Sequence, residues 1–104
     1  MGKYVLAYKG GGMAATEAER EAAMAAWGAW MGGLGAALVD GGNPFASSRA
    51  MAADGTLADG ASSALTGYSI LTADSYEQAA DLAKGCPIFS NGGSIDVYEA
   101  LEVM

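Results

Sequence analysis

The chain contains no histidine, one cysteine and only five lysine or arginine residues among its 104 residues. Without histidine it lacks the commonest general base and the commonest transition-metal ligand at neutral pH, so we expect neither a metal site nor a cofactor. A single cysteine excludes a disulfide within the chain. Together with the lack of a secretory leader pattern, it predicts a reducing, cytoplasmic location.

Basic residues are scarce relative to acidic ones, five against twelve, and the formal net charge at pH 7 is −7. This charge repels phosphate backbones and anionic lipid surfaces, so nucleic acid is not an expected partner. Residues 22–39 carry no charge, and this length is close to the minimum for a membrane-spanning helix. Three glycines interrupt the run at Gly32, Gly33 and Gly35, so we expect no membrane partner either.

Hydrophobic periodicity predicts one domain over residues 1–104 with elements in the order β-α-β-β-α-β. The 52% apolar content is enough for one core in a chain of this length. The pattern predicts strands over residues 3–9, 36–39, 65–72 and 94–101. Residues 46–52 either continue the second strand or form a separate edge strand.

Two capping boxes predict where the helices begin. Thr16 with Glu19 starts the first helix, and Ser75 with Gln78 starts the second. The first helix carries an apolar stripe of Met24, Trp27, Met31 and Leu34 and is expected to end within residues 32–35. The second is expected to end at residues 84–85 and to bury Tyr76, Ala79, Ala80 and Leu82 or Ala83.

Four segments resemble the YCII-related proteins, specifically their DGPF-type branch. They are residues 40–44, 67–75, 83–88 and 91–99. The resemblance implies an α+β fold of the ferredoxin-like kind, an antiparallel sheet with two helices on one face, which pairs into a dimeric α+β barrel. It does not imply a known reaction.

In YCII-like proteins a histidine on the first helix and an aspartate after the second have been regarded as a catalytic pair. The corresponding positions here are near Ala23 or Met24 and near Cys86, so neither group is present. Cys86 is a possible substitute nucleophile. The alternative is a buried structural cysteine, which we favour because a helix C-terminus disfavours a thiolate.

The last strand places Asp96 and Tyr98 on the face opposite Ile95 and Val97. In the implied dimer that face lines the barrel, so Asp96 and Tyr98, with Ser69 or Arg49, form the predicted ligand site, and Asp96 and Tyr98 are weak candidates for catalysis. The simpler interpretation is that Asp96 pairs with Lys9 or Arg49 and that Tyr98 fills the dimer interface.

Arg20 is a second candidate, because its spacing from Met24 and Trp27 places all three on one helix face. That face puts a guanidinium beside an indole at the mouth of a pocket. The simpler alternative, which we favour from the sequence, is an exposed arginine paired with Glu17.

Two functions remain open. The first is a homodimer that binds a small molecule or a partner protein without catalysis. The second is a small lyase or isomerase that uses Asp96 and Tyr98. We also expect Tyr4, Leu6, Tyr8 and Tyr98 to share the uncovered sheet face through which the dimer forms.

Overall fold

The computed structural model describes residues 2–11 and 16–101. Its two helices are α1 (Glu17–Leu34) and α2 (Tyr76–Ala83), and 3₁₀ turns occupy Gly35–Ala37 and Pro87–Asn91. Its strands are β1 (Gly2–Lys9), β2 (Leu38–Asp40), β3 (Arg49–Met51), β4 (Leu57–Asp59), β5 (Leu65–Ala73) and β6 (Ser94–Ala100).

The main sheet has the strand order β2-β5-β1-β6, and every neighbouring pair is antiparallel. Strand β1 is an inner strand, between β5 and β6. In the register, Leu6 lies opposite Ser69 on one side and opposite Val97 on the other. These three residues therefore share one face, and their sequence neighbours lie on the other.

Both helices pack on the face that contains Leu6. Trp27 of α1 contacts the ring of Tyr8, and Tyr76 of α2 contacts the ring of Tyr4, each with ring centroids 5.2 Å apart. The indole Nε1 of Trp30 also donates a hydrogen bond of 3.0 Å to the carbonyl oxygen of Leu82. This bond connects α1 to α2. The predicted α+β class is confirmed.

The buried core lies between the helices and this face. It includes Leu6, Leu34, Leu71, Cys86 and Ile88.

The prediction that Tyr4, Leu6 and Tyr8 lie on the uncovered face is wrong. All three are buried beneath the helices, and only Tyr98 lies on the open face. Both faces of β1 are apolar, so alternation alone does not say which set the helices cover. Tyr4, Leu6 and Tyr8 have bulkier side chains than Val5 and Ala7 on the other face. Covering them removes more apolar surface from water, and these are the residues that the helices bury.

The two predicted helix starts are confirmed by their hydrogen bonds. The Thr16 hydroxyl accepts from the Glu19 amide, and the Ser75 hydroxyl accepts from the Gln78 amide, both at 3.1 Å. Helix α1 continues through the glycines at 32 and 33 and ends only before Gly35, whose φ is +56°. Its last residue, Leu34, is buried, and this packing offsets the low helix propensity of the two glycines.

The buried face of α2 is narrower than predicted. Ala79 and Ala83 are buried and Leu82 is half-buried, whereas Ala80 and Tyr76 are exposed. Tyr76 lies in the first turn, where it packs against the ring of Tyr4 but stays 49% exposed.

Strands β3 and β4 form a two-stranded hairpin apart from the main sheet. Of the two alternatives for residues 46–52, the structure therefore has the separate strand and not a continuation of the second strand. The Asp54 side chain accepts from the Thr56 amide at 2.9 Å and stabilises the turn. Met51 and Leu57 are 70% and 52% exposed, so the hairpin stands away from the core. The radius of gyration is 15.0 Å, larger than the ~13 Å typical of a compact chain of this length.

Candidate functional site

A cleft of about 820 Å³ opens between α1 and the edge of the sheet. One wall is α1, the other is the segment 41–45 that follows β2, and the ends of β1 and β5 form the floor. Its lining includes Arg20, Met24, Trp27, Met31, Pro44 and Ile88. The volume is within the range of small-molecule sites in proteins.

Helical spacing places the first wall. Arg20, Met24, Trp27 and Met31 recur at intervals of three or four residues, so their side chains share one face of α1. Trp27 fixes the position of that face, because it contacts Tyr8 below it and Trp30 beside it in edge-to-face geometry. The apolar stripe predicted from the sequence thus serves partly as core and partly as cleft wall.

The second wall is held against β5 by backbone contacts. The Phe45 amide donates to the Thr66 carbonyl at 2.8 Å, and Pro44 bridges to Gly67. The Asp40 carboxylate accepts from the Gly42 amide at 2.9 Å, which fixes the turn that leads into this wall. The wall is therefore an ordered continuation of the β2 edge.

A buried hydrogen-bond chain supports the floor. The Tyr8 hydroxyl donates to Ser69 Oγ at 2.6 Å, and Ser69 Oγ donates to the Gly41 carbonyl at 2.7 Å. Burial raises the pKa of Tyr8 to about 12, so the phenol is neutral at physiological pH. It acts as a hydrogen-bond donor that connects the core to the second wall.

Ser69→Ala is expected to destabilise the protein by about 1–3 kcal/mol, because it leaves the buried Tyr8 hydroxyl and Gly41 carbonyl without this partner. Urea denaturation measures the change. Ser63→Ala, at an exposed serine, is the matched control and is expected to cost less than about 0.5 kcal/mol. Equal effects of the two substitutions would contradict this role of Ser69.

The charge of the cleft is opposite to that of the chain. Arg20 is the only ionic side chain among the described residues that line it, and none of the aspartates or glutamates in the described ranges does so. Arg20 is exposed, as the simpler alternative from the sequence expects, but it forms no ion pair with Glu17 or with any other described residue.

The four residues predicted to form the ligand site are not brought together. Asp96 and Tyr98 do lie on the open face, and Asp96 pairs with Lys9 at 2.7 Å, as the simpler interpretation expects. Ser69, however, is fully buried on the helix face, and Arg49 lies in the β3–β4 hairpin. None of the four lines the cleft.

Cys86 is buried, 3% exposed, in the core behind the cleft. Burial raises the pKa of its thiol, and polar contacts with the Ile88 backbone and the Tyr8 side chain offset this only in part. A protonated, enclosed thiol fits the structural role favoured from the sequence, since the thiolate is the nucleophilic form.

Sequence reasoning found part of the cleft. The spacing of Arg20, Met24 and Trp27 pointed to a pocket beside α1. The run Gly41-Gly42-Asn43-Pro44 was interpreted only as part of a family pattern, although it forms the opposite wall. Gly67 was a usable signal, because Asn43 and Pro44 approach so closely that an added Cβ would meet the Asn43 carbonyl oxygen at 3.1 Å.

Within the described ranges, no group of three or more Cys, Asp or Glu side chains is placed to hold a metal ion. Nor does this part of the chain contain a helix long and apolar enough to cross a membrane. No family model, curated protein or solved structure matches the chain.

Proposed function

We propose that the protein is a homodimeric α+β barrel that binds a small apolar molecule in the cleft beside α1, without catalysis. The observation that carries the proposal is the cleft itself. Its walls are mainly apolar side chains and backbone, with a few polar groups such as Asn43 and Thr66. This composition is typical of small-molecule sites.

The surroundings of the candidate catalytic groups also favour binding. The Asp96 carboxylate is paired with Lys9 on a half-exposed sheet surface, and Tyr98 is 57% exposed beside it. A general base must lie within reach of its substrate, and neither Asp96 nor Tyr98 lines the cleft. The lyase or isomerase alternative therefore has less support than ligand binding.

The sheet topology supports the dimeric barrel part of the proposal. Taken in chain order, the four strands of the main sheet are arranged 2-3-1-4 with both helices on one face, as expected for a ferredoxin-like sheet. The opposite face exposes Tyr98 and carries Val5 and Ile70 beside it. The domain is only 19 Å thick, so residues 2–11 and 16–101 form no second layer over this face.

Binding in the cleft is tested with 2-naphthamide, a flat, neutral and mostly apolar probe. Titration followed by amide NMR is expected to shift signals of Gly41, Gly67 and the Trp27 indole rather than those of Asp96 and Tyr98. Ala23→Phe fills the cleft and is expected to weaken binding at least tenfold. Ala25→Phe, exposed on the same helix and outside the cleft, is the matched control.

Shifts confined to Asp96 and Tyr98 would move the site to the open sheet face. Binding that survives Ala23→Phe unchanged would also overturn the assignment to the cleft. If the probe binds nowhere on the folded protein, the binding proposal fails.

Val5→Lys is expected to convert the homodimer to a monomer at micromolar concentration. Val5 lies on β1 between Ile70 and Tyr98, at the centre of the open face, and a lysine there would bury an unpaired charge in the interface. Sedimentation equilibrium measures the change. Met51→Lys makes the same change in charge on the exposed hairpin and is expected to leave the dimer intact. A wild-type monomer at that concentration would refute the dimer.

A further inference from the structure

Arg20 is the feature of the cleft that the binding proposal leaves unused. Among the other described basic residues, the structure shows ion pairs for Lys9 and Lys84. Their ammonium nitrogens lie 2.7 Å and 2.8 Å from a carboxylate oxygen. Arg20 is exposed, lines the cleft and pairs with no described carboxylate. No described carboxylate therefore competes with an anionic ligand for its guanidinium.

The rest of that wall is suited to an apolar body. Met24 and Trp27 lie one and two helical turns beyond Arg20 on the same face, and Met31 lies one further turn along. Met24 is 68% exposed, whereas the other exposed residues of α1 are alanines, glycines and charged residues. A cation at one end of an apolar stripe fits a ligand with an anion at one end of an apolar body.

We propose that the ligand of the cleft is an apolar or aromatic carboxylic acid, bound as its monoanion. This inference rests on the proposed function. The hydrocarbon body packs along Met24, Trp27 and Met31, and the carboxylate accepts paired hydrogen bonds from the Arg20 guanidinium. Arginine and carboxylate match in planar, two-pronged geometry, which fixes the orientation of the ligand.

The charges around Arg20 favour a single negative charge over a phosphate. Glu17, Glu19 and Glu21 all lie within three residues of Arg20 on α1, although none of them lines the cleft. One guanidinium balances one carboxylate, whereas a dianion would carry a second charge into this acidic surrounding. The overall charge of −7 adds to that repulsion.

The test compares 2-naphthoate with 2-naphthamide, which have nearly the same shape and differ in one charge. At low salt the acid is expected to bind the wild-type protein about tenfold more tightly, a modest factor because Arg20 is exposed to solvent. In Arg20→Gln this preference is expected to disappear while binding of the amide stays unchanged. Added salt is expected to weaken the acid selectively.

Arg49→Gln is the matched control, because it removes the same charge from the hairpin, outside the cleft. It is expected to keep the tenfold preference, and Arg20→Lys is expected to keep part of it. Circular dichroism establishes that each variant is folded.

The outcomes separate the two proposals. If acid and amide bind the cleft equally well, the binding function stands and the carboxylate inference is wrong. If Arg49→Gln loses the preference for the acid as fully as Arg20→Gln does, the preference arises from the overall charge of the protein. That result would also refute the inference. If neither probe binds in the cleft, both proposals fall.

Discussion

Gly42→Ala is expected to destabilise the protein by about 3 kcal/mol or more, a large effect for the addition of one methyl group. Gly42 has a φ of +73°, a conformation that strains residues with a side chain. A Cβ at this position would also fall on the carbonyl oxygen of Tyr68, which belongs to β5 and has little freedom to move. Guanidinium denaturation measures the loss.

Gly55→Ala separates the two causes. Gly55 lies at the tip of the hairpin with a φ of +88°, and nothing lies within 4 Å of an added Cβ. Its substitution costs only the backbone strain, about 1 kcal/mol. If Gly42→Ala costs no more than this control, the segment 41–45 is not packed against β5 as described, and the second wall of the cleft is not fixed.

Local chemistry explains which parts of the fold were predictable. The capping residues Thr16 and Ser75 determine helix starts through bonds within three residues, so their effect is visible in the sequence. The end of α1 at Leu34 lies within the predicted range of residues 32–35, and the burial of Leu34, a contact with distant residues, outweighs the local preference of the two glycines before it. Strand positions followed from alternation, but alternation carries no information on which face the helices cover.

The same distinction applies to the candidate site. Arg20, Met24 and Trp27 lie on one helix, so their common face follows from helical spacing alone. Ser69 was grouped with Asp96, although these residues lie in different strands and share a face only if the register allows it. The register pairs Ser69 with Leu6 and Leu6 with Val97, which places Ser69 and Asp96 on opposite faces. The second wall depends on the contact of Pro44 with Gly67, across more than twenty residues, and apart from the glycine itself no local pattern indicates this contact.

Cys86 is expected to react with a thiol reagent at least about a thousandfold more slowly in the folded protein than in denaturant. The side chain is enclosed between the helices and the sheet, so the reagent reaches it only through an opening of the structure. Burial also raises the pKa of the thiol, which lowers the thiolate fraction at neutral pH. Stopped-flow labelling with an aromatic disulfide in buffer and in 6 M guanidinium measures the ratio, with a free cysteine derivative as the reference in both solvents.

The same burial gives a stability change with pH whose sign is fixed. The folded state keeps the thiol protonated, whereas the unfolded thiol ionises near its ordinary pKa of 9.0, so a rise in pH above that value favours the unfolded chain. The contribution of Cys86 is complete below the unfolded pKa and is lost as pH rises toward the folded pKa. Cys86→Ala is expected to flatten the fall in stability between about pH 8.5 and 10, before the Tyr8 phenol contributes in the same direction. Rapid labelling of the native protein at neutral pH, with an unchanged pH profile in Cys86→Ala, would instead identify an accessible and reactive thiol.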